Sequence, residues 1–366
     1  MQPDELSIGS LKEQLDTPIL LIDLDIMESN IARMAEYFRG VDADLRPHTK
    51  THKTPILAHK QIEAGAIGVT CAKLGEAEVM VAAGIKDVLI ANEIVPHQKI
   101  ARLVNLTKHA DMMVAVDDTR NIENLSQAAQ SKGVNLRVLV DVDVGMGRCG
   151  VPPGEPALQL AQEVEKSKNL VFAGIMGYEG HTVAIADFAE RKSAAEKAMT
   201  QLVGTKELIE QNGLEVGIVS GGGTGTYNIT GQFPGMTEIQ AGSYILMDTK
   251  YRGVLSDFGC ALSVLVTVIS RPNKNTAITD AGMKTMTPEF GMAEVKDVDG
   301  AELIKLSEEH GILSLKGSAT DLKPGDRLEL IPSHGCTTIN LHDKFYGIRD
   351  GILESVWDIA ARGKLR

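Results

Sequence analysis

The feature that most constrains this chain is an alternation of strand-like and helix-like segments that repeats eight times. Runs rich in aliphatic and β-branched residues fall at 43–50 (ADLRPHTK), 68–72, 87–92, 111–118, 135–144, 170–178, 217–222 and 238–244. The stretches between them, such as 74–84 and the charged 189–213, carry helical periodicity. Alternation of this kind predicts parallel strands with helices outside them. A count of eight suits an α/β fold in the form of a closed, TIM-like (β/α)8 barrel over 25–254. A doubly wound open sheet ranks second, because no GxGxxG turn follows an early strand. One further run, ILLIDL at 19–24, precedes the eight, and an amphipathic helix is expected over 25–40.

From about Leu255 the pattern changes. Short strand-like runs at 261–270, 276–282, 311–318 and 326–334 are separated by turns of Pro, Asn, Asp and Gly. This predicts a smaller β domain over 255–366, to which residues 1–24 can add their strand. A chain of 366 residues is comfortable for two such domains.

Composition narrows the function classes. A formal net charge of -12 argues against a general nucleic-acid binder, which would present a basic patch. No apolar run approaches the ~18 residues of a membrane span. The first sixteen residues are polar and acidic, unlike a signal or transit peptide. Cys71, Cys149, Cys260 and Cys336 lie far apart with no CxxC pair, which predicts reduced thiols and fits a cytoplasmic protein.

In a (β/α)8 barrel, active sites lie at the C-terminal ends of the strands, and phosphate commonly binds after strands seven and eight. The seventh run leads directly into Gly221–Thr226 (GGGTGT), and the eighth into Gln240–Tyr244 (QAGSY). A glycine run alone is usually only a loop. Two of them at the two expected places predict a phosphate cradle from Gly222, Gly223, Thr224, Gly242, Ser243 and Tyr244. The first run ends in RPHTKTHK, where period-2 alternation turns His48 and Lys50 to one face at the barrel mouth. A lysine across from a phosphate cradle is what covalent attachment of pyridoxal phosphate requires, although most lysines at strand ends are merely solvated. Lys53 competes for the role but falls beyond the strand. Arg148, just past the fifth run, can hold a phenolate oxygen or a carboxylate. Tyr178 and His181, at the end of the sixth, can contact a ring or move protons. In the β domain, PSHGC places His334 and Cys336 two apart, on one side of an extended strand, where one metal ion could take both. Imidazole with thiolate favours Zn²⁺, with Mn²⁺, Co²⁺ and Mg²⁺ as alternatives.

Taken together, RPHTKTHK, DVDVGMGRCG, GGGTGT, QAGSY and PSHGC resemble the D-threonine aldolase and D-serine dehydratase group of fold-type III pyridoxal-phosphate enzymes, relatives of alanine racemase. The resemblance runs from Asp16-Thr17-Pro18 to the region of Asp343. It implies that Lys50 carries the cofactor, that Arg148 and Tyr178 flank its ring, and that both glycine loops serve its phosphate. It also implies a divalent ion on His334 and Cys336, and a head-to-tail homodimer.

Two lyase chemistries share this scaffold: retro-aldol cleavage of a β-hydroxy D-amino acid to glycine and an aldehyde, and dehydration of D-serine or 3-hydroxy-D-aspartate with loss of ammonia. TEIQAGSYILMD and NLHDKFYGIRDGILESVWDIAARG resemble the aldolases, whereas His-x-Cys is typical of the dehydratase branch. Gly180-His181 fits both. The expectation is therefore an aldolase with D-threonine as the leading substrate, with Lys50 and His181 as catalytic residues. A non-catalytic pyridoxal-phosphate-binding homeostasis protein is a second alternative. Those proteins lack the β domain. A racemase is a weaker one, having no evident use for metal ligands.

Overall fold

The computed structural model describes residues 8–366; the first part of the polar N-terminal segment, 1–7, lies outside them. Its residues fall into two compact units: Arg33–Gly242 with Gly363–Arg366, and the chain up to Ala32 with Ser243–Arg362.

After an initial strand β1 (Ile19–Asp23) and the helix Leu24–Phe38, the chain supplies eight parallel strands. They are β2 (Asp44–Leu45), β3 (Val69–Cys71), β4 (Asp87–Glu93), β5 (Asp111–Val116), β6 (Leu136–Asp141), β7 (Leu170–Gly177), β8 (Ile218–Gly221) and β9 (Glu238–Ile239). The sheet runs β2-β9-β8-β7-β6-β5-β4-β3. Past β2 the backbone reaches β3 as well: Thr70 donates its N–H to Pro47 (2.9 Å), and Thr49 donates to Thr70 (2.8 Å). This is the TIM-like barrel expected from the count. The central strands read as near-continuous aliphatic runs because they are covered on both faces. Leu89, Met113, Ala115, Leu139 and Met176 form one buried cluster across β4–β7.

The first and last strands are much shorter than the runs that announced them. Pro47 has no N–H to give a ladder, and the chain turns at once, with Lys53 donating to the Thr49 carbonyl at 2.8 Å. Past β9, a Cβ on Gly242 would lie 2.3 Å from the carbonyl oxygen of His48, so only glycine lets the two strand ends approach so closely.

The second unit is built on a nine-stranded sheet. It contains β1, β10 (Leu262–Asn273), β11 (Thr276–Thr279), β12 (Glu294–Val295), β13 (Ala301–Leu306), β14 (Gly311–Leu315), β15 (Arg327–Ile331), β16 (Lys344–Arg349) and β17 (Ile352–Asp358). β1 lies between β10, antiparallel, and β16, parallel. Leu15, Leu21, Leu265, Ile348 and Leu353 close the core beneath it. Among the described residues, no helix is long and apolar enough to cross a membrane.

Candidate active site

Lys50 does not sit on a strand. It lies in the turn after the bridge at His48, half-buried, and its own N–H donates to His48 Nδ1 at 3.4 Å. The alternation argument for its direction therefore fails, because Pro47 ends the ladder before alternation can act. The turn nevertheless carries the side chain to the barrel's C-terminal end, where Nζ stands 5.8 Å from the centroid of the Tyr178 ring. Arg148 approaches the same ring at 5.7 Å. Two cations within the ~6 Å range of ring attraction give Tyr178 an electropositive setting. His48 is buried, and that burial, followed by the charge of Lys50, pushes its imidazole well below the usual range.

Lys53 is separated from Lys50 by burial and partner rather than by position. It is 6% exposed, adopts a left-handed φ of 55°, and pairs with the buried carboxylate of Glu76. Glu76 also accepts from the N–H groups of Ala72 (2.8 Å) and Lys73 (3.1 Å). That carboxylate ties Lys53 to the start of the helix Leu74–Ala82, a structural role.

The two glycine loops leave the adjacent strands β8 and β9, paired Ser220 with Glu238 and Gly221 with Ile239. A Cβ on Gly223 would meet the Tyr178 ring at 3.2 Å, and one on Gly225 would fall 1.9 Å from the Val183 carbonyl oxygen. The loop is thus pressed against the β7 exit, closely enough that side chains at Gly223 and Gly225 would collide with it. The Gly222 N–H is committed within the protein, to Glu179 Oε2 at 3.1 Å, and the Gly223 N–H donates to Thr226 Oγ1 at 3.3 Å. Thr224–Thr226 form a single 3-10 turn beyond them. In the other unit, Ser243 and Tyr244 open a short 3-10 turn, and the buried Tyr244 ring packs 5.7 Å from that of Phe258. Its side chain is core, so a contribution to phosphate binding would come from its backbone.

Arg148 is exposed on a glycine-rich loop after β6. Asp143 shapes that loop by accepting from Gly145 and Gly147, both at 3.0 Å. The Gly147 bond leads in holding its carboxyl below the usual range, with a smaller contribution from His181. His181 is exposed in the turn after β7, its ring 3.3 Å from where a Gly145 Cβ would stand.

An acidic group near Arg148 was not singled out from the sequence. Among the described residues, Glu93, Asp117 and Cys149 are the three whose ligand atoms lie within 4.8 Å of one another. Asp141, 6% exposed, is pushed up to about 8 by burial, then by the charge and hydrogen bond of Glu93, while Arg148 opposes the rise. Burial, then Glu93, pushes the Cys149 thiol up to about 11. Without a cation present, Asp141 and Cys149 therefore hold their protons at neutral pH. These residues sit at the ends of three different strands, so only the fold could have revealed the group.

In the β unit, His334 and Cys336 do not share a strand face. β15 ends at Ile331; His334 caps the short helix Gly335–Ile339, and Cys336 lies in its first turn. Asp248 secures this helical turn by accepting the Gly335 N–H at 2.9 Å. The pair still meets. Burial alone would lower the His334 imidazole, but the hydrogen bond and charge of Cys336, then Glu289 and Asp248, outweigh it and raise it to about 9. Glu289 Oε2 lies 2.7 Å from His334 Nδ1. The imidazole of His334, the sulfur of Cys336 and two carboxyls make a donor set that fits a divalent cation. Glu289 and Asp248 carry no sequence signal that ties them to PSHGC.

Comparison with known proteins gives a consistent picture. The profile of the alanine racemase N-terminal domain matches residues 22–250, and that of a serine dehydratase domain matches 261–348. A 3-hydroxy-D-aspartate aldolase of Paracoccus denitrificans (strain Pd 1222) is 38% identical over 97% of this chain and 94% of its own. The crystal structure of D-threonine aldolase from Filomicrobium marinum superposes with a TM-score of 0.96 at 38% identity, covering 98% of this chain and 99% of that one. A cysteine mutant of D-threo-3-hydroxyaspartate dehydratase, solved in the metal-free form, has a TM-score of 0.86 at 28% identity, over 95% of this chain and 98% of that one.

Proposed function

We propose a function from one premise: this chain belongs to the family of the alanine racemase N-terminal domain, with a serine dehydratase domain behind it. The family is one of fold-type III pyridoxal-phosphate enzymes, and the relatives that span both domains are lyases, aldolases and dehydratases alike. Our reading is a pyridoxal-phosphate- and metal-dependent lyase that cleaves β-hydroxy D-amino acids to glycine and an aldehyde, with D-threonine as the leading substrate. The observation that carries the cofactor half is the convergence of Lys50 and Arg148 on the Tyr178 ring, beside a loop that Gly223 and Gly225 allow to pack closely against the β7 exit.

Lys50 would carry the cofactor on its amine, Tyr178 and Arg148 would flank the ring, and the loops at Gly222–Thr224 and Gly242–Tyr244 would receive the phosphate. When bound, pyridoxal phosphate supplies a sink for the electron pair left on Cα. His334 and Cys336 would hold the divalent ion, whose Lewis acidity makes a β-hydroxyl easier to deprotonate. The exposed His181 is our candidate for the base that takes that proton at a ring nitrogen. Loss of the hydroxyl proton lets the Cα–Cβ bond break, the aldehyde leave, and Cα accept a proton to give glycine. Support for the aldolase outcome comes from the 38% identical aldolases. Cys336 favours a second reading, since His-x-Cys resembles the dehydratase branch. There Lys50 would instead remove the Cα proton, and hydroxide would leave Cβ. The non-catalytic homeostasis reading loses ground to the nine-stranded second unit.

Product analysis decides among them. Incubated with D-threonine, 3-hydroxy-D-aspartate and D-serine, an aldolase yields glycine and aldehyde from the first two. Keto acid and ammonia in place of glycine would overturn the aldolase reading, and no product from any would overturn the lyase.

A further inference from the structure

Glu179 is 0% exposed, at the mouth of the barrel, with no role in the chemistry described so far. Three donors converge on its carboxylate, all of them from the segment that follows β8. The Gly222 N–H donates to Oε2 at 3.1 Å, and the hydroxyls of Thr226 and Thr230 donate to Oε1 at 2.7 and 2.5 Å. An ionised carboxylate only accepts, so three donors from one loop suit it and fix that loop's shape. Glu179 is also the residue next to Tyr178, whose ring lies under Gly223. Four residues on, the Val183 carbonyl abuts Gly225 so closely that no Cβ could stand there. The β7 exit therefore grips the β8 loop at three successive points: ring under Gly223, carboxylate on Gly222, Thr226 and Thr230, and backbone against Gly225.

We propose that Glu179 is the positioning residue of the phosphate loop: its buried carboxylate holds Gly222–Thr230 in the shape that receives a phosphate monoester, in register with Tyr178. The proposal rests on the cofactor reading above and deepens it. Gly222 acts here by its left-handed φ of 73° and by its bond to Glu179, rather than by donating to the phosphate. The turn Thr224–Thr226 is what the loop then presents. Two effects of Glu179 oppose each other. Its negative charge disfavours a nearby phosphate dianion, whereas its three bonds preorganise the loop that binds it. Preorganisation wins, because a loop with the Gly222 N–H and two hydroxyls unanchored has many shapes and only one that fits.

The test compares two aldehydes that differ only in the phosphate. The full-length chain, stripped of cofactor, is titrated with pyridoxal phosphate and with pyridoxal, and binding is followed by absorbance. Wild type should bind the phosphate ester more tightly; equal affinity for the two would sink the cofactor reading itself, before Glu179 enters. Glu179→Gln should weaken pyridoxal phosphate about tenfold, the equivalent of one lost charge-assisted hydrogen bond, and leave pyridoxal nearly unchanged. Thr230→Val, which removes a single donor, should show a smaller loss with the same selectivity, and it decides the matter if the glutamine variant does not fold. Equal weakening of both ligands, or tighter binding of the phosphate ester, would overturn the proposal while leaving the cofactor reading intact.

Discussion

The two units assemble their candidate residues in opposite ways. In the barrel unit, Lys50, Arg148, Tyr178 and Gly223 are distant in sequence and meet because parallel strands deliver their C-terminal ends to one rim. In the β unit, His334 and Cys336 are already neighbours in the chain, and what folding assembles is their surroundings, Glu289 and Asp248. In the first case, then, topology makes the site and the side chains can be located by counting strands. In the second, a motif is visible at once but its chemistry depends on partners that no spacing reveals. The barrel also holds a second group, Glu93, Asp117, Asp141 and Cys149, which like the His334 corner combines a cysteine with carboxyls but lacks an imidazole.

The largest expected effect lies within RPHTKTHK, where the structure gives its two lysines opposite tasks. Lys50→Ala should abolish turnover and, after borohydride reduction, leave no cofactor fixed to the protein, with the fold intact. Lys53→Ala should keep the cofactor on the Lys50 peptide and lose stability instead, because Glu76 stays buried without its cation. Breaking such a pair costs on the order of 3 kcal/mol, toward the low end of the range since two backbone N–H groups still serve Glu76. Peptide mapping with chemical denaturation separates these outcomes. Cofactor found on Lys53 would reverse the assignment.

The same segment shows how far the sequence could be read. The strand count was legible because buried parallel strands leave aliphatic runs that helices punctuate. The length of β2 was not, since the effect of Pro47 and of the close approach of Gly242 to His48 belongs to the closed ring. In the β unit, β16 and β17 were missed: Gly347 and the charges of KFYGIR and ILESVWD mask any alternation. β13, AELIKL, is charged and only partly buried, which hides it in the same way. Lys50 was identified from a strand that ends before it. Glu179 and Glu289 gave no signal, because a lone glutamate acquires meaning only from what it touches.

A second and smaller effect tests the β unit. Chelation, or His334→Ala, should stop turnover without removing the cofactor from Lys50. Glu289→Ala should act more gently through His334, whose Nδ1 it engages at 2.7 Å. Loss of a carboxylate behind a ligating histidine weakens metal affinity about 10–100-fold, and a half-exposed Glu289 places the expectation near tenfold. Metal titration of the cofactor-loaded protein measures it. If an ion instead remained bound in His334→Ala and was lost in Cys149→Ala, the acidic group of the barrel would be the metal site and the contrast between the units would invert.

The smallest effect concerns that acidic group, where burial and Glu93 hold a proton on Asp141. Asp141 is raised from the usual carboxylate range to about 8 by burial and by Glu93, so the folded chain keeps a proton there that the unfolded chain releases above about pH 4. Between those two values the folded state binds more protons than the unfolded one. Stability therefore falls as pH rises from about 4 to about 8, and this contribution stops changing above that. Asn at position 141 keeps the shape and can donate an N–H to Glu93 in place of the protonated carboxyl, but it cannot ionise. Asp141→Asn should therefore lose less stability than wild type between pH 5 and pH 8, by on the order of 1–3 kcal/mol in denaturant titrations. Because other groups titrate in both proteins, the difference between their slopes is the informative quantity. Parallel pH profiles would mean that Asp141 is ionised in the folded chain at neutral pH, held so by Arg148 or by a cation shared with Glu93 and Asp117. The barrel would then hold a charge-paired or cation-binding group of its own, in addition to the candidate donor set at His334 and Cys336.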